Sequence, residues 1–138
     1  DAHSQLHSVV ESFSDENLSY KIDGYERSIG DVISHTLTTA RYYFIGHLAL
    51  GLSVDDYSEP KIASVKDALD LIQENLDEMS SLIEKLDAQD LASTIKTEWG
   101  QEMSKELAVW QGITQIMLHL GELCVMAGNG GFYKGTLG

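Results

Sequence analysis

The sequence predicts an all-α protein, an antiparallel four-helix bundle, on three observations. Proline occurs once, at Pro60. Apolar residues recur at spacings of three and four over four long stretches, the mark of amphipathic helices. No run alternates with period two long enough to make a strand.

The first helix is expected over about residues 3–13, with Leu6, Val9, Val10 and Phe13 on one face. The stretch "SDEN" reads as its closing turn, and "LSYKIDGYERS" as an irregular link with Gly24 as its flexible point. The second helix starts at "SIGD", where Ser28 and Asp31 are spaced as a capping box. Its apolar stripe is Val32, Ile33, Leu37, Ala40, Phe44 and Leu48, and Gly51 is placed to end it. A linker carrying the proline follows. The third helix begins with Ser64 and Asp67, also spaced as a box, and runs to about Leu86. Its apolar positions alternate with a solvated face of Lys66, Asp70, Glu74, Asp77 and Glu84. The fourth runs from near Ser104 to about Ala127, and from Leu107 its only charged residue is Glu122. A helix apolar nearly all round is expected to lie buried among the others. Linkers of modest length then favour antiparallel neighbours.

The chain has 138 residues, 43% of them apolar, so it can bury one substantial core and reads as a single domain over 1–138. Its net charge is −13 with nine basic residues. Phosphate and anionic membrane surfaces need clustered Lys and Arg, so nucleic-acid and membrane partners are excluded. One cysteine, Cys124, rules out an internal disulfide and a CxxC motif. On its apolar stretch it reads as a packing thiol. No segment reads as a signal peptide or membrane span, and a cytoplasmic location is expected.

The chemistry concentrates on two helices. At about 100° per residue, Gln111, Gln115, His119 and Glu122 share one narrow face of the otherwise apolar fourth helix. Unpartnered polar groups are costly to bury, so this band should meet water, partners or a metal. On the second helix, His35, Thr39 and Tyr42 share a face, and packing of the two helices would bring His35 towards His119. The spacing equally allows two hydrogen-bonded core histidines. The turn before His119 carries Gln115, a poor ligand beside imidazole. His3 and His7 have the i, i+4 spacing of a metal pair but lie near an end expected to fray. His47 lies about 120° around an α-helix from His35, too far to share a ligand.

The segment "SIGDVISHTLTTARYYFIGHLALG" resembles the second helix of the DinB-like (damage-inducible) superfamily of four-helix bundles. That helix opens with a serine- or threonine-led "xIxExxxH" and passes through an aromatic-rich segment to a glycine. The stretch "EWGQEMSKELAVWQGITQIMLHLGELCVMAG" is similar to the family's last helix, whose hallmark is H-x-x-x-H-x-G-[QE]. Here "HLGEL" at 119–123 matches its end. The loop "FSDENLSYKIDGYERS" resembles the connection between the family's first two helices. The resemblance covers nearly the whole chain.

What this resemblance implies is a divalent metal, nickel or zinc, held by one histidine of the second helix and two residues one turn apart on the last. The matching positions are His35, Gln115 and His119, so the chain departs from the pattern at the middle ligand. Gln115 would then be a weak carbonyl ligand or hold a water, and Glu122 would orient a ligand or act as a base. Relatives use a low-molecular-weight thiol in transferase or isomerase chemistry, and homodimers are common among them. The competing expectation is a metal-free bundle, dimeric or binding a small molecule, in which the polar band fixes helix register or lines a pocket.

Overall fold

The computed structural model of the chain describes residues 1–55 and 57–133. The observed elements are α1 (Ala2–Glu11), a 3₁₀ turn (Asp15–Ser19), α2 (Ile29–Thr38), a π-helical segment (Thr39–Ala49), α3 (Val65–Ile83), α4 (Ala88–Ala92), β1 (Thr94–Lys96), β2 (Glu102–Ser104) and α5 (Lys105–Asn129). The protein is mostly helical. Helix α1 packs on α3 and α5, and α2 packs on the same two, so the long helices share one core.

Local chemistry explains where the helices start. Ser28 Oγ accepts from the Asp31 amide, and Asp31 accepts in return from the Ser28 amide, which completes the expected capping box. Ser64 and Ser104 each accept from the amide three residues on. These side chains satisfy amides that the first helical turn leaves free. The expected stripes then meet in the core: Leu6 and Val10 from α1, Ile33 and Leu37 from α2, Ile72 from α3, and Leu120 from α5 are all sealed from solvent. Truncating one such leucine to alanine costs about 2–5 kcal/mol. Phe132 and Tyr133 fold back onto the body, both edge-on to Phe13, with Phe132 also against Tyr20. The rest of the glycine-rich tail, 134–138, lies outside the described residues.

Four expectations need correction. The chain is not free of strands, because Thr94–Lys96 and Glu102–Ser104 pair antiparallel. Three residues are too few to show a period of two in sequence. The N-terminal end does not fray through His3: α1 begins at Ala2, and His3 is buried with Nε2 3.1 Å from the Asn75 amide nitrogen. Burial lowers its pKa. Helix α5 is not buried all round, for Leu107, Trp110, Met117, Leu118 and Val125 stand exposed.

The fourth correction matters most for the site. The second helix does not continue in α form to Gly51 but turns π-helical at Thr39. Its turns are wider, and α5 comes close against them. A Cβ at Gly112 would meet Phe44 Cβ at 3.1 Å and the Ala40 carbonyl at 3.3 Å. A side chain there would oblige these neighbours to give by a few tenths of an ångström. The segment closes at Gly51, whose φ of +70° is the left-handed geometry glycine adopts freely.

Candidate functional site

The site is assembled from α2, α5 and the linker between the π segment and α3. His35 and His119 come together as the sequence suggests, their rings edge-to-face with centroids 5.3 Å apart. Each is tied to a carboxylate. His35 Nδ1–H donates to Glu59 Oε1 at 2.6 Å, and His119 Nδ1–H donates to Glu122 Oε2 at 2.6 Å. A carboxylate only accepts, so each Nδ1 carries a proton, and in the neutral ring the lone pair is then on Nε2.

The Glu59 contact spans 24 residues and has its own anchor. Ser34, beside His35 in sequence, donates its hydroxyl to the Pro60 carbonyl at 2.6 Å. Two consecutive side chains of α2 thus grip two consecutive residues of the linker. Tyr57 adds a third hold, donating to Glu59 Oε1 at 3.0 Å, with its hydroxyl 3.1 Å from that of Thr39. Burial pushes the Glu59 carboxyl up, but the hydrogen bonds from His35 and Tyr57 outweigh it and leave its pKa below the ordinary value. Burial raises the Tyr57 phenol.

His35, Thr39, Tyr43, Val54 and Tyr57 line a pocket of 490 Å³. The sequence places Tyr42, not Tyr43, on the face of His35 and Thr39. Tyr42 instead lies exposed, with the Arg41 guanidinium against its ring. The π segment explains the change. Its i→i+5 bonding widens the turn to about 4.4 residues, so the face moves one residue along. The same widening keeps side chains four apart almost in line, and Thr39, Tyr43 and His47 follow one row.

That row leads to a second histidine–carboxylate group at the hairpin. His47 Nε2 and Glu98 Oε1 lie 2.5 Å apart, while Tyr43 donates to Glu98 Oε2 at 2.9 Å. Trp99 stacks on Tyr43 at 6.1 Å. The His47 hydrogen bond holds Glu98 down to about 2, and the same bond raises His47. Burial and Glu98 push Tyr43 up to about 12. His47 bonds to the Leu52 carbonyl and to Glu98, not to the His35 pair.

The donor chemistry at His35 and His119 can be matched to a divalent metal. Two imidazoles, each backed by a carboxylate on Nδ1, are the arrangement that orients histidine ligands in metal sites. Gln115, half-buried one turn before His119, offers only a neutral amide. Among the described residues no group of three or more His, Cys, Asp or Glu side chains is placed to hold a metal. The two histidines therefore fit a metal, and the third position does not. Cys124 is half-buried at the core's edge, and burial raises its thiol, opposite to the shift that activates a nucleophile. Sequence reasoning missed Glu59, Tyr57, Tyr43 and Glu98. The one local signal was the alternation of Tyr57 and Glu59 just before Pro60, which puts both on one side of an extended segment.

Comparison with known proteins gives this geometry a context. The model of the DinB superfamily matches residues 1–123. A DinB-like protein from Bacillus cereus ATCC 10987 superposes with a TM-score of 0.76 at 19% identity, over 99% of this chain and 91% of that one. A DinB-like protein from Bacillus subtilis gives a TM-score of 0.76 at 16% identity, over 98% of this chain and 90% of that one. No match was found among curated proteins. No helix among the described residues is long and apolar enough to cross a membrane.

Proposed function

This chain belongs to the DinB superfamily, and within it we propose a two-histidine site for a divalent cation, nickel or zinc, at the edge of a small-molecule pocket. The observation that carries the reading is the paired arrangement of His35 and His119: adjacent rings with both Nδ1 atoms held by carboxylates, so that Nε2 of each would be the ligating atom. His35 and His119 would hold the cation, and Glu59 and Glu122 fix the two rings. Gln115 adds a weak carbonyl donor or retains a water. When bound, the cation would supply a positive centre that favours the thiolate form of a small-molecule thiol, in keeping with the transferase type of chemistry. Thr39, Tyr57 and Tyr43 line the volume beside it, and their rings and hydroxyls would orient such a substrate. The contacts of α1 and α2 with α3 and α5 support an antiparallel four-helix bundle as the frame, and a cytoplasmic location belongs to the same reading.

A second reading is favoured by Gln115 itself. A neutral amide at the middle position suits a metal-free bundle whose pocket binds a small molecule, with the histidine–glutamate pairs serving only to satisfy polar groups. Metal analysis of untagged protein separates the two. The first expects nickel or zinc in the parent, lost in His119→Ala. A parent that stays empty under every loading condition ends the metal reading, and filling of Gln115→His alone identifies a degenerate site.

A further inference from the structure

The 490 Å³ pocket beside His35 is lined by side chains whose protons are already committed. Tyr43 donates its hydroxyl to Glu98 Oε2 at 2.9 Å, and Tyr57 donates to Glu59 Oε1 at 3.0 Å. A phenol has one proton, so in the 3.1 Å contact of Tyr57 with Thr39 it is the threonine hydroxyl that donates. His35 gives its Nδ1–H to Glu59 as well. Val54, the remaining member, has an apolar side chain. What these side chains still offer a ligand is a set of oxygen lone pairs, the faces of two tyrosine rings and, in the neutral His35 ring, the Nε2 lone pair. None of them has a hydroxyl proton to spare.

The carboxylates behind the hydroxyls set the sign of the pocket. The bond from His47 holds Glu98 down to about 2. Burial pushes Glu59 up, but the bonds from His35 and Tyr57 keep it below the ordinary value, so both glutamates are ionised at neutral pH. A hydroxyl that donates to a carboxylate is polarised by it, and its oxygen accepts the more strongly. Burial and Glu98 push Tyr43 up to about 12, so it keeps the proton that it gives to Glu98. Both bonds to Glu59 fall on Oε1, and among the described residues none engages Oε2. A further acceptor thus lies next to two of the lining residues.

Among the described residues, the side chains of positive or titratable charge that act on these carboxylates are His35 and Arg27 at Glu59 and His47 at Glu98. Arg27 is exposed, and the chain as a whole carries −13. We infer that the pocket binds its small molecule through an ammonium group, with N–H bonds to the oxygens of Tyr43 and Thr39 and its charge against the tyrosine rings. A carboxylate or phosphate group would find no hydroxyl donor among the lining side chains and would face two ionised glutamates. An ammonium ligand presupposes the small-molecule pocket proposed above and adds its chemical class, but does not depend on metal at His35 and His119.

Probes that share a phenyl ring and differ in the charge of the end group test this: phenethylammonium, 3-phenylpropanol and 3-phenylpropanoate. Each is titrated at neutral pH into the isotopically labelled full chain, and amide shifts are followed by nuclear magnetic resonance. Chelator is present throughout, so that no metal recruits the carboxylate. Phenethylammonium is expected to bind about fivefold tighter than the alcohol or better, and the propanoate most weakly, with shifts concentrated at Thr39, Tyr43, Val54 and Tyr57. Tyr43→Ala should weaken the ammonium probe about tenfold. Thr39→Val keeps the shape of the side chain and covers the case in which Tyr43→Ala disturbs folding; it should narrow the ammonium-to-alcohol ratio about threefold. Equal affinity for the probes, preference for the carboxylate, ammonium shifts spread over the acidic surface, no binding by any probe, or a ratio untouched by both substitutions would each overturn the inference. Any such failure lies with the pocket, because metal at His35 and His119 is read separately by metal analysis.

Discussion

Two histidine–carboxylate regions sit on one helical row, and they differ in what surrounds them. At His35 and His119 the imidazoles are 20 and 13% exposed, and their glutamates 32 and 29%. At the hairpin, His47 is 29% exposed and Glu98 is 59%. The first region brings two imidazoles to one point, each fixed by a different segment of chain. The second holds one imidazole, and both oxygens of its carboxylate are taken by His47 and Tyr43. The same pair of residue types thus serves two ends. Under the proposed reading the convergence makes a place for a ligand, whereas a lone exposed pair fastens one element to another and is screened by salt.

The largest expected effect falls at the position where the first region is incomplete. Gln115→His would add a third imidazole to the pair. Four-ligand zinc sites bind with about 10–16 kcal/mol, so one good donor is worth a few kcal/mol, or about a hundredfold in affinity. Calorimetric titration with zinc checks this. An unchanged affinity would mean that residue 115 does not face the two rings.

Next come the carboxylates, which test whether the two regions are as different as their geometry says. Removing the outer partner of a histidine ligand weakens metal binding about 10–100-fold. Glu59→Gln and Glu122→Gln should do so in the same titration, while Glu98→Gln should leave affinity within error. Equal losses at all three would erase the distinction. Ser34→Ala should act less strongly, since it removes one anchor of the segment that carries Glu59. One hydrogen bond is worth about 1 kcal/mol, so a loss of about fivefold is expected.

How much of this was legible in sequence follows from the range of each cause. Helix starts at Ser28, Ser64 and Ser104 were readable because a cap is satisfied within three residues. The meeting of His35 and His119 was readable from helical faces and from the family motifs. Tyr43 was not, because a period of 3.6 fails once the helix widens at Thr39, and a widened turn is stabilised by packing against Gly112 far along the chain. Glu59 was missed because its role depends on a linker's path. The outer face of α5 was misread for another reason. Apolar composition does not entail burial, because much of a folded protein's surface is itself contributed by apolar atoms.

The smallest expected effect concerns the hairpin clasp and its pH dependence. Glu98 is held down to about 2 from 4.5, so its contribution is present above 4.5 and is lost as pH falls towards 2. His47 is raised from 6.5, so its contribution is complete below 6.5 and is lost as pH rises through the raised value. Both belong to one ion pair, and the clasp is therefore strongest between about 4.5 and 6.5. Trp99, stacked on Tyr43, reports on it. Its fluorescence in a Trp110→Phe background should show the hairpin most firmly docked in that window and loosening on either side. His47→Gln should flatten the alkaline arm and shrink the acid one, Glu98→Gln should flatten both, and added salt should weaken the effect. A profile that is flat in the parent would mean that stacking and the β1–β2 pairing hold the hairpin without the ion pair. The distinction between a converging and a fastening pair would then rest on the His35 region alone.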